Sequence, residues 1–71
     1  MIKTIEVVFR VIDVVDYGQG FRTENIPLTR WYSTLEEAEE ARKKIKIERD
    51  KSGNIYLGYL KIERKEIDIS N

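Results

Sequence analysis

Asp13 and Asp16 stand close together outside the Glu-rich middle and the charged tail of the chain, and they are the first place to look for chemistry. Two carboxylates can divide acid and base roles in glycoside hydrolysis, or begin a metal site. Calcium, however, needs a far denser set of oxygen ligands than this pair offers. The chain has no histidine and no cysteine, which removes the commonest general base, the commonest metal ligand and every thiolate site. A domain of 71 residues also has little room for a reaction cleft. The pair therefore reads as strand-end and turn residues, and no enzyme activity, metal or cofactor is expected. Gly18-Gln19-Gly20 is a fragment of a phosphate loop without its third glycine, its lysine or its helix, so it reads as a hairpin turn. What remains is the chemistry of contact. Tyr17 and Phe21 flank that turn, and Trp31 stands between Arg30 and Tyr32. Tryptophan, tyrosine and arginine dominate protein-binding hot spots. Arg10, Arg22 and Arg30 beside aromatics would also suit an anionic, planar ligand.

These residues need elements to hold them. Ile2 to Val15 is a long β-type run with Ile5, Val7, Phe9 and Val11 on one face and Val8, Ile12 and Val14 on the other. A sheet covered on one side alternates apolar and polar residues; this run is apolar on both. Glycines near residue 18 supply a hairpin loop. Phe21 to Tyr32 is a weaker strand, with Ile26 and Leu28 inward. Pro27 cannot donate a ladder hydrogen bond and makes it an edge strand, or breaks it near Asn25. Ser33 and Thr34 each have a glutamate three residues on, the pattern of a capping box. Glutamates crowd the start of the helix that follows and Arg42, Lys43, Lys44 and Lys46 its later half, in the order that suits the helix dipole; Glu39–Lys43 and Glu40–Lys44 are favourable pairs. Leu35, Ala38, Ala41 and Ile45 form its inner stripe. Ile47 falls off that stripe, so the helix is expected to loosen over Ile45 to Glu48, with a turn at Asp50 to Asn54. Ile55 to Ile62 is the third strand. Ile67 and Ile69 take the opposite parity from Leu60 and Ile62, which calls for a bulge near Arg64 or a separate extension.

The element order is ββαβ, an α+β fold in one domain spanning residues 1–71. A hairpin followed by a helix that returns along the sheet gives a three-stranded antiparallel sheet of order 2-1-3, with the most apolar strand central and one helix on one face. At this length folding buries only about 60% of the surface the unfolded chain exposes, and small domains often recruit a metal, a disulfide or a partner. With no cysteine or histidine, a partner is the remaining device. Thirteen basic residues balance thirteen acidic ones, so the basic excess of a nucleic-acid binder is lacking. Tyr56 and Tyr59 could stack bases on a sheet, but no RNA-binding signature surrounds them. The alternating charges of Lys61 to Glu66 read as a solvated strand face that guards an edge. No segment reaches the about 20 apolar residues of a membrane span, and the start has no signal-peptide core, so a cytoplasmic address is expected.

The stretch from Trp31 to Ile45 resembles short proteins of phages and mobile elements. In these, a strand ends in an aromatic-Ser/Thr pair, then comes a Leu-Glu-Glu-Ala helix, then one charged strand. Some such proteins inhibit bacterial defence systems, the anti-CRISPR proteins among them; the resemblance implies a host defence protein as partner and carries over no functional residue. The expected function is a non-catalytic protein-binding module that self-associates as a homodimer or larger homo-oligomer. Its contact residues are Val8, Arg10, Ile12, Tyr17, Phe21 and Trp31. The alternative is a small-molecule or nucleotide-binding protein that sequesters its ligand.

Overall fold

A computed structural model describes residues 3–16, 23–53 and 58–70. β-Branched residues fill the first strand, β1 (Ile5–Asp16), because they pack well on a pleated surface. It is followed by β2 (Thr23–Pro27), α1 (Leu35–Ser52) and β3 (Gly58–Asp68). The sheet order is β2-β1-β3 and both pairings are antiparallel. This is the ββαβ arrangement expected from the pattern, with the most apolar strand in the centre.

Thr34 is the N-cap of α1. Its hydroxyl accepts from the Glu37 amide at 3.2 Å and donates to the Glu37 carboxylate at 3.1 Å; Ser33 donates to the same carboxylate at 3.2 Å. One cap residue and one glutamate thus serve the start. The expected loosening over Ile45 to Glu48 does not occur. α1 runs unbroken to Ser52 and stops at Gly53, whose φ of 71° is the left-handed conformation of a helix C-cap. Asp50 to Ser52 are accordingly helical rather than turn. Strong helix formers from Lys43 to Lys51 outweigh the misplaced Ile47, which is left 47% exposed.

α1 lies over β1 and β3 and, among the described residues, makes no contact with β2. Consequently Ile26 and Leu28 are 38% and 39% exposed, not inward. β2 ends at Pro27, as a residue without a donor requires. The chain then rejoins the sheet at Tyr32, whose N–H and C=O bond Phe9 at 2.6 and 2.9 Å. β3 contains no bulge: its register with β1 is unbroken from Val15↔Gly58 to Ile5↔Asp68. Nor is the tail a separate extension, for the Ile69 amide still bonds Thr4. Ile67 therefore faces the side opposite to Leu60 and Ile62.

Gly58 marks the tightest approach in the sheet. A Cβ there would lie 2.3 Å from the Val14 carbonyl oxygen, so only glycine fits where β3 begins. The molecule is thin and long, 51 × 30 × 12 Å. Its radius of gyration is 15.2 Å, against about 11 Å for a compact domain of this length.

Candidate functional site

Alternation along β1 sorts its side chains onto two faces, and an ion pair identifies the face under the helix. Arg49 of α1 grips Asp13 of β1 with two hydrogen bonds of 2.8 and 3.4 Å. Both side chains are largely buried, 16% and 12% exposed. Asp13 is thus not a turn residue; it sits mid-strand on the helix face with Val11 and Phe9. Asp16 ends β1 and is exposed. No group of acidic residues that could hold a metal ion occurs among the described residues.

The face away from the helix carries Val8, Arg10, Ile12 and Val14 from β1, and Tyr59, Lys61, Glu63 and Lys65 opposite them on β3. Val8, Ile12 and Val14 are 6%, 3% and 7% exposed although no helix covers them. In register Val8 lies beside Lys65, and Ile12 between Lys61 and Pro27. Long basic side chains there can lay their stems on apolar neighbours and keep their heads in water. The apolar surplus of β1 is therefore already buried within one chain, and Val8 and Ile12 form the floor of the site rather than its contact surface.

Above that floor stands a compact charged-aromatic cluster. The Arg10 guanidinium lies 4.2 Å from the centre of the Trp31 ring, and its Nε donates to the Glu63 carboxylate at 2.6 Å. The Lys65 ammonium lies 5.6 Å from the centre of the same ring. A cation over an indole contributes about 0.5–1 kcal/mol where water still reaches the pair. Trp31 reaches this face because Tyr32, its neighbour, bridges Phe9 on the helix face. Arg30 stacks on Tyr32 at 4.9 Å, on the opposite side of the sheet from Arg10.

The structure thus brings together Val8, Arg10, Ile12 and Trp31 of the expected contact residues. Tyr17 and Phe21 lie outside the described residues, as do the Gly18-Gln19-Gly20 turn, Arg22 and Tyr56. Glu63 and Lys65 were missed as site residues. The signal was available, since they share one face of β3 and alternate with residues of the other face. No described helix is long and apolar enough to cross a membrane. Comparison with protein-family models, with curated proteins and with solved structures finds no match.

Proposed function

We propose that this chain is a non-catalytic protein-binding module that acts by occupying the surface of another protein. The observation that carries this reading is the half-buried Trp31, held by Arg10 and Lys65 on the sheet face away from the helix. Tryptophan and arginine are among the residues most enriched in binding hot spots, and Glu63 fixes the arginine so that little side-chain freedom is lost on contact. A host defence enzyme inhibited by a phage-type protein is the sharpest form of this reading, suggested by the Trp31 to Ile45 resemblance. The ligand-sequestering alternative is less well supported. Arg10 is already neutralised by Glu63, and Arg30 is on the other face, so the two do not converge on one anion.

Self-association belongs to the same proposal and rests on area. A globular monomer of 8.4 kDa exposes about 4600 Å². This chain exposes 5742 Å², an excess of about 1100 Å², and a standard interface takes about 800 Å² from each partner.

The test is affinity capture from bacterial lysate, followed by titration of the captured protein, purified, against the wild type and Trp31→Ala. The expected result is one saturable partner whose affinity falls at least tenfold in the variant. Equal affinity for both forms would refute the assignment of this face.

A further inference from the structure

We infer that the second copy docks on the outer edge of β3, pairing β3 with β3 antiparallel about a two-fold axis through Ile62. This deepens the proposed self-association and rests on it. β3 is the end strand of the sheet and runs from Gly58 to Asp68. It thus presents a long row of backbone groups on its open side, a template for strand addition.

The charges of β3 select the register. A two-fold axis perpendicular to the sheet keeps each residue opposite one of its own face. Centred on Ile62, Lys61 of each copy lies opposite Glu63 of the other, Tyr59 opposite Lys65, and Ile62 opposite itself. Directly opposed opposite charges and a cation beside an aromatic are favourable cross-strand pairs. Glu63 also accepts from Arg10 and Lys65 also lies over Trp31 within each copy, so the partner's side chains would add to these contacts. Moving the axis to Lys61 sets Lys61 against itself. Moving it to Glu63 sets Glu63 against itself and Lys61 against Lys65. An axis at Arg64 opposes two guanidiniums, each paired with its own Glu66, and although it sets Glu63 against Lys65 it leaves Ile62 against Glu66. The alternation that guards this edge against other strands thus admits its own copy in one long register.

The helices agree with the same axis. α1 lies over β1 and β3, so joining the β3 edges sets the two helix axes about two strand spacings, roughly 10 Å, apart. That is the ordinary packing distance of helices, about 8–10 Å. An open groove of about 1050 Å³ runs between α1 and the β3 edge, with Glu39, Lys43 and Lys46 among its lining residues. The partner helix enters that groove antiparallel, laying the acidic first half of one helix along the basic second half of the other. Lys46 is engaged by Asp50 at 3.6 Å within α1; Glu36, Glu39 and Glu40 of the first half, with Arg42 and Lys43, also line the groove and face the partner helix.

The chain has no cysteine, so single introduced ones report the register cleanly. Opposed Cα atoms on the axis lie about 4.5–5.5 Å apart, within disulfide range. Ile62→Cys should cross-link to a covalent dimer under mild oxidation. Arg64→Cys should not, since its copies lie about 13 Å apart. Lys61→Glu should weaken the wild-type dimer about tenfold by sedimentation equilibrium. Hydrogen exchange on the wild type covers the case in which Ile62→Cys fails to fold: the β3 amides that do not bond β1 must be protected in the dimer. A strict monomer at 0.5 mM, a concentration chosen to be about 500 times a micromolar dissociation constant, would overturn self-association and this edge together. A dimer with unprotected β3 amides, or one cross-linked through Arg64→Cys, would overturn the Ile62-centred edge while leaving self-association standing.

Discussion

Truncating Arg49 tests the packing of α1 on the sheet most directly. Its guanidinium pairs with the Asp13 carboxylate, and the Asp13 residue is 8% exposed. Removing one member of a buried pair leaves an uncompensated charge and costs about 3–5 kcal/mol. The two side chains keep some contact with water, at 16% and 12% exposure, so the lower end, about 3 kcal/mol, applies. A domain of 71 residues has about 3.5–10 kcal/mol in total, and the loss is therefore a large fraction of it. In urea, with a slope near 1 kcal/mol per molar for so small a domain, Arg49→Met should lower the midpoint by about 3 M. Far-UV circular dichroism at fixed protein concentration reads this. The double replacement Asp13→Leu with Arg49→Met should recover stability to within about 1 kcal/mol of wild type, because a buried ion pair is hardly better than apolar packing of the same volume. A cost below about 1 kcal/mol for Arg49→Met would place the pair among solvated surface bridges and refute the assignment of the helix to this face.

Gly58→Ala sets a Cβ against the Val14 carbonyl, which cannot swing away as a side chain can. The expected loss is about 3 kcal/mol, seen as a thermal midpoint lowered by more than about 10 °C. Thr34→Ala removes the N-cap acceptor for the Glu37 amide and should cost about 1 kcal/mol, with Ser33→Ala costing less in the same urea titration. Ile12→Glu forces a carboxylate into a site only 3% exposed and should unfold the chain rather than merely weaken binding; retained native circular dichroism would contradict the burial of that face. Ser70 donates through its hydroxyl and its amide to Asp68, and with Lys3 nearby these hold the Asp68 carboxyl below the ordinary aspartate value. A depressed folded-state value means that the contribution is present above the ordinary value and fades as pH falls through the folded one. An NMR titration should return the Asp68 midpoint upward in Ser70→Ala.

The strand order was legible because pattern and topology agree: the most apolar run had to be central. The run of helix formers past Ile45 was equally visible, yet Ile47, off the stripe, mimics a stop. Its exposure shows that one misplaced apolar residue does not end a helix when propensity and a C-cap glycine both favour continuation. The Asp13–Arg49 pair left a trace on both partners. The odd face of β1 is apolar from Ile5 to Val11 and then breaks at Asp13; the helix stripe of Ala38, Ala41 and Ile45 breaks one turn later at Arg49. Two apolar stripes interrupted by opposite charges at matching ends are a contact readable from sequence. Gly58 could not be found that way, because its need arises from a backbone approach across strands far apart in the chain.

The apolar surplus of β1 pointed to a partner for a reason the structure revises. Val8, Ile12 and Val14 are buried without one, so an unsolvated sheet face does not by itself demand association. The proposed self-association rests instead on shape. A sheet one helix wide, only partly covered, gives a body 12 Å thin that exposes more surface than its mass requires. That excess is spread over the ends and edges of the sheet, with Ile5, Ile26, Leu28 and Tyr59 among the exposed apolar residues. Thin sheets reduce such exposure most efficiently by widening, since each added strand removes an edge and lets helices pack side by side. Widening at β2 is blocked by Pro27, which leaves β3, whose charges fit a second copy of itself.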